Sequence, residues 1–155
     1  VALPPCGLYR TTRALADVGA GRLVYFHNHG NPGPGVYLPS GWSLNQATWQ
    51  PKGFTLSDPE AQASTLAPLP AEGLYAVREG FFCCPKQCVR FEPGQLVQLG
   101  YDGEATPILF VPEWTGKGGL GFPERGTRLE GDALSQLSRL VVARSNDAPR
   151  DSFVH

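Results

Sequence analysis

The sequence predicts a mainly β protein with short helices, built as two tandem small β-barrel-like repeats related by internal duplication. Three observations point there. Short apolar and β-branched runs recur between turn residues, with Gly 19 and Pro 15 in 155 residues. Charged residues make up 17 %, below the usual ~25 %, which favours a packed chain over a solvated one. The chain also aligns with itself. At a shift of 73, Gly21-Arg22-Leu23-Val24 lies over Gly94-Gln95-Leu96-Val97, and Val36-Tyr37-Leu38-Pro39 over Leu109-Phe110-Val111-Pro112. Without a gap, Pro34 then meets Pro107, Gly53 meets Gly126 and Leu56 meets Leu129. Upstream, Gly7-Leu8-Tyr9 meets Gly73-Leu74-Tyr75 at a shift of 66, so the second copy carries a seven-residue insertion after its first strand. The units run over residues 1–70 and 71–143, with a polar, aperiodic arm over 144–155.

The elements follow in order. After the turn signal Pro4-Pro5-Cys6-Gly7, Leu8 to Leu15 reads as extended. Arg22 to Asn28 and Val36 to Pro39 form a hairpin across a Gly-bearing loop, as Gln95 to Gly100 and Ile108 to Val111 do across Tyr101-Asp102-Gly103-Glu104. Phe54 to Leu56 and Thr127 to Leu129 are short fourth strands. Asp58-Pro59-Glu60 starts a short helix, with a capping side chain ahead of proline at the first helical position. In the second copy Asp132 precedes a helix carrying Leu134, Leu137 and Leu140 on one face. Ala67-Pro68-Leu69-Pro70 ends the first helix, and Leu69 to Gly73 is the joint.

Residues kept in both copies serve the shared backbone, so function belongs where the copies differ. Tyr9 with Tyr75, and Tyr37 with Phe110, are therefore core. Trp42 and Trp114 each follow a Pro-terminated strand and are expected to cover a barrel mouth, while Trp49 and Trp114 are candidates for a peptide groove.

The insertion, Phe81-Phe82-Cys83-Cys84-Pro85-Lys86-Gln87-Cys88-Val89-Arg90, is one place where the copies differ. Three readings stay open: small apolar packing, disulfides, or a zinc or redox site using Cys6, Cys83, Cys84 and Cys88. Adjacent cysteines pair with each other only under strain, which favours reduced thiols and a cytoplasmic setting, although an even number of cysteines also suits secretion. The second place is Phe26-His27-Asn28-His29-Gly30, where copy two has Gly100, Tyr101 and Asp102 in place of His27, Asn28 and His29. His27 and His29 share one face of a strand, a spacing that can hold a metal or a partner, and joining them to thiols is expected to need both copies.

A net charge of −1 offers nothing to a nucleic-acid backbone, and no run of about 18 apolar residues spans a membrane. Residues 1–72 are the more neutral half, the side expected to face a partner or another subunit. Phosphate loops, Ser-His-Asp order and close carboxylate pairs are missing, so the reading leans away from an enzyme, with a hydrolase or nuclease on His27 and His29 ranked last. The leading expectation is a non-enzymatic interaction or accessory scaffold protein with a protein partner, needing no cofactor. The alternative is a zinc or thiol-redox protein centred on Cys83, Cys84 and Cys88.

Overall fold

A computed structural model describes residues 2–144, and residues 145–155 of the expected arm lie outside them. In the first unit β1 (Gly7–Thr11), β2 (Leu23–His27) and β3 (Gly35–Tyr37) lead into a hairpin of β4 (Pro39–Ser43) and β5 (Gln46–Trp49). Then come β6 (Phe54–Thr55), helix α1 (Pro59–Ala63) and β7 (Leu66–Pro68). The second unit runs β8 (Gly73–Val77), β9 (Phe81–Phe82), β10 (Arg90–Phe91), β11 (Leu96–Tyr101), β12 (Pro107–Phe110), β13 (Glu113–Trp114), β14 (Leu120–Gly121) and β15 (Thr127–Arg128). A 3₁₀ turn (Ala133–Gln136) and β16 (Leu137–Arg139) end it.

Each unit is a five-stranded antiparallel sheet of the same order, β6-β3-β2-β1-β7 in the first and β15-β12-β11-β8-β16 in the second. The sheets are open; the expected barrels do not close among the described residues. Both sheets repeat the same backbone devices. Tyr9 donates its hydroxyl to Pro5 O and Tyr75 to Ala71 O, four residues back in each case. Leu56 N donates to Pro34 O and Leu129 N to Pro107 O, both at 2.9 Å. A Cβ on Gly53 would lie 2.6 Å from Val36 O, and one on Gly126 would lie 2.6 Å from Leu109 O. These glycines are kept because two backbones touch there.

The insertion is a hairpin. In the first unit Leu15 bridges Val18 across a tight turn, and in the second Phe81 pairs with Phe91, so the longer loop grows from the same bridge. Thereafter Gly21 and Gly94, at φ of +75° and +83°, re-enter the sheet alike. Two expectations are corrected. Leu134, Leu137 and Leu140 do not form one helical face: after the 3₁₀ turn, Leu137–Arg139 is a strand paired with β8. Four residues cannot sustain a helix, and the open edge of β8 needs backbone partners. Ala67-Pro68 likewise belongs to a strand, β7, on the edge of the first sheet where proline's missing N–H is tolerated. In α1, Pro59 stands in the first turn as expected, but Asp58 makes no side-chain cap; Gln62 Oε1 instead accepts from Asp58 N at 2.9 Å.

Two cores result. One gathers Tyr9, Val24, Phe26, Val36 and Leu66 in the first unit. The other gathers Tyr75, Val97, Leu99, Tyr101 and Leu109, with Leu23 of the first unit inserted among them. Tyr9, Tyr75 and Phe110 are buried, whereas Tyr37 is half-buried.

Candidate functional site

The two hairpins that leave the sheets are equivalent in sequence and opposite in circumstance. A β-bulge between Pro39 and Gly41 adds one residue to β4, which brings Trp42 into line with Trp114. Trp42 faces Ala47 across its hairpin as Trp114 faces Leu120 across the other.

The first hairpin is seated on the second sheet. Trp42 Nε1 donates to Tyr101 O at 2.8 Å, Gln98 Nε2 donates to Leu44 O at 3.0 Å, and Asn45 Nδ2 donates to Gln98 Oε1 at 3.0 Å. The backbone N of Ala47 donates to the Glu72 carboxylate at 3.0 Å. Gly100 makes the approach available, since a Cβ there would lie 2.6 Å from Asn45 O. Trp49 packs against the second core, its ring 5.8 Å from that of Tyr25, so this candidate groove residue lies between the units.

Among the described residues, the second hairpin has no such seat. Trp114 is 78 % exposed against 46 % for Trp42, and Leu120 and Phe122 are exposed beside it. Neither tryptophan covers a barrel mouth. Glu113, Trp114, Thr115, Gly121, Phe122 and Pro123 line an open groove of about 380 Å³. Exposed apolar residues stand on both units, Leu44 on the first and Trp114, Leu120 and Phe122 together on the second.

The four cysteines, all free thiols, do not come together as one ligand set. Cys83 is buried in the second core; its N donates to Val89 O, and its Sγ accepts from Val89 N at 3.3 Å. Cys84 Sγ lies 3.5 Å from Cys83 Sγ, while Cys88 is exposed. Hydrogen bonding from the Cys88 backbone and the Cys83 thiol pulls the Cys84 thiol below its ordinary value, and the same neighbourhood pushes Cys88 up, chiefly through Cys84.

Cys6 finds different company. The pairing of Gly7 with Phe26 places the start of β1 beside the end of β2, and there Cys6, His27 and His29 hold ligand atoms all within 4.8 Å of one another. Cys6 Sγ lies 4.0 Å from His29 Nδ1, and the two histidine rings lie 4.5 Å apart. Asn28 sits at the hub: its Oδ1 accepts from Cys6 Sγ at 3.3 Å and lies 2.5 Å from His29 Nδ1. Its Nδ2 is anchored on Pro4 O at 3.1 Å, and its backbone N donates to Cys6 Sγ at 3.3 Å. The thiol and the histidines therefore meet within one copy, and both copies are not needed. Antiparallel register was the missing signal, because Cys6 and His27 are 21 positions apart in the chain.

No helix among the described residues is long and apolar enough to cross a membrane. No protein-family model, curated protein or solved structure matches the chain.

Proposed function

We propose that the chain is a non-enzymatic protein-interaction module, produced by doubling of one β unit, whose partner-facing element is the hairpin Glu113–Gly121. The observation that carries this is the inequality of the two hairpins. One shows how such a hairpin docks: an indole N–H on a backbone carbonyl, a tip against a glycine, and a strand N–H on a carboxylate. The other presents Trp114, Leu120 and Phe122 to solvent with no seat of that kind among the described residues, and exposed clusters of large apolar side chains mark interaction surfaces. Glu113 is the one ionisable group lining its groove, which suits recognition better than acid–base chemistry.

The partner is a different protein and presents a β-sheet face with a glycine and an outward carbonyl. A second copy of this chain does not fit in the same manner. The seat on its second sheet is filled by its own hairpin. The equivalent position on its first sheet carries His27 where Gly100 stands, and at Gly100 a Cβ alone would lie 2.6 Å from the docked Asn45 O.

A photo-crosslinking residue placed at 114 tests the reading, with position 44 (Leu44, 88 % exposed) as control. The expected adduct forms at 114 only and maps to a strand face of one other protein. Equal labelling from both positions, or a self-adduct alone, overturns it. The cysteine hairpin supports a second reading, reversible thiol chemistry between Cys84 and Cys88, because the turn closed by Gln87 N on Cys84 O at 2.9 Å sets both thiols on one short loop, where each acts on the other's acidity. Thiol counting before and after mild oxidation tests that reading, which needs two thiols lost together from this pair.

A further inference from the structure

We propose that Cys6, His27 and His29 form a zinc site with an exchangeable fourth position, a property separate from the docking hairpin. The ligand set is the first argument. A thiolate with two imidazoles selects a borderline-soft divalent ion such as zinc over magnesium or calcium, which take oxygen ligands.

Geometry is the second. Zinc held by sulfur at about 2.3 Å and nitrogen at about 2.0–2.1 Å in a tetrahedron sets its ligand atoms roughly 3.3–3.6 Å apart. The three atoms already lie within 4.8 Å of one another, so closure takes about 1 Å of side-chain motion. Cys6 and His27 are half-buried and His29 is exposed, which leaves the ion open on one side for water or a donor from another molecule.

The surrounding shell is the third. Asn28 N already donates to Cys6 Sγ, an interaction that stabilises a coordinating thiolate. Asn28 Nδ2, anchored on Pro4 O, fixes this residue at the site, and its Oδ1 holds the thiol proton of Cys6 and faces His29 Nδ1 until zinc displaces both contacts.

The duplicated unit supplies an internal control. At the corresponding positions it has Glu72 for Cys6, Gly100 for His27, Tyr101 for Asn28 and Asp102 for His29. There Glu72 holds Ala47 N and Tyr101 O holds Trp42, so this end of the second sheet receives a hairpin. The shared backbone requires none of the three metal ligands. They occupy, on the first sheet, the place where the second sheet docks a hairpin, and zinc would tie the ends of β1 and β2 together there.

Binding is ligand exchange: zinc loses waters, Cys6 loses its thiol proton to solvent as the Zn–S bond forms, and neutral imidazole nitrogens donate their lone pairs.

The test uses the full chain, stripped of metal under reducing conditions and titrated with cobalt(II) and then zinc(II). One equivalent of cobalt should produce tetrahedral ligand-field bands with a thiolate-to-cobalt charge-transfer band, both abolished by zinc. His29→Ala, an exposed substitution, and Cys6→Ser should each weaken binding by at least about 100-fold, since even second-shell changes cost about 10–100-fold. The double variant Cys84→Ser/Cys88→Ser should bind as the unsubstituted chain does, and far-UV dichroism confirms folding of each variant. No cobalt spectrum at millimolar metal, binding that survives both His29→Ala and Cys6→Ser, or binding that tracks Cys84 and Cys88 instead overturns the proposal.

Discussion

Substituting alanine at Gly100 addresses the seat that distinguishes the two units. The new Cβ would lie 2.6 Å from Asn45 O and 3.3 Å from the Phe110 ring. The first of these is backbone, so no rotamer change relieves it, and the hairpin must retreat by about 1 Å, a shift of the kind that costs about 1–3 kcal/mol in a packed site. Retreat stretches the bonds of Trp42, Gln98, Asn45 and Ala47 across the seat, each with a net worth of about 1 kcal/mol. Partial loss of these, added to the residual overlap, leads to an expected destabilisation of about 2–3 kcal/mol. Since 1 kcal/mol shifts Tm by about 2–4 °C at this chain length, Tm should fall by roughly 4–12 °C. Urea and thermal unfolding followed by tryptophan fluorescence measure it. Gly19→Ala, where nothing lies within 4 Å, is the control and should stay within about 0.5 kcal/mol. If Gly100→Ala also stays within that margin, the hairpin is not held as described and the contrast with Trp114 loses its basis.

The tryptophans should separate in the same assay: Trp42→Phe loses an indole hydrogen bond and costs about 1 kcal/mol, whereas Trp114→Ser stays within about 0.5 kcal/mol. Equal effects would contradict the asymmetry. Gly53→Ala and Gly126→Ala, which meet equivalent carbonyl oxygens at 2.6 Å, should each cost about 1–3 kcal/mol, and a neutral result at either would break the equivalence of the units. Burial raises the phenols of Tyr9, Tyr75 and Tyr101, Tyr101 most of all, with Cys6 adding to the effect at Tyr9 and Arg139 opposing it at Tyr75. The native state therefore keeps these protons after the unfolded chain has lost them. Their contribution is intact below about pH 10 and is lost above it, at about 1.4 kcal/mol per pH unit for a tyrosine still protonated only in the native state. Urea midpoints that do not fall between pH 9 and pH 11 would refute this. Limited alkylation near neutral pH should modify Cys84 ahead of buried Cys83 and ahead of Cys88, as peptide mapping would show; Cys88 reacting first would contradict the order.

The central strands were legible because apolar periodicity and paired glycines mark them. Leu23–His27 and Leu96–Tyr101 fall inside the segments that the self-alignment brings together. The outer strands were not legible. Leu66–Pro68 contains a proline, and Leu137 and Leu140 have helical spacing, yet both segments are strands because β1 and β8 each offer an open edge. The hairpin of β4 and β5 hides behind Pro39-Ser40-Gly41, which reads as a stop until the bulge is seen. Cys6, His27 and His29 are each visible in the sequence as metal-ligating chemistry, but nothing along the chain places Cys6 beside the histidines instead of beside Cys83, Cys84 and Cys88.

The order of residues alone aligned two segments that fold into sheets of the same order, made the second longer between its first strands, and marked the histidines and cysteines as departures from the common pattern. Tertiary structure decided which of those departures meet. Cys6 reaches His27 because the register of two distant strands puts Gly7 opposite Phe26. Trp42 is seated because its hairpin meets the second sheet at Gly100, where a Cβ would lie 2.6 Å from Asn45 O, whereas Trp114 is 78 % exposed. Apolar periodicity is local and can be read along one strand, whereas register and close approach depend on a second segment whose position the first does not specify.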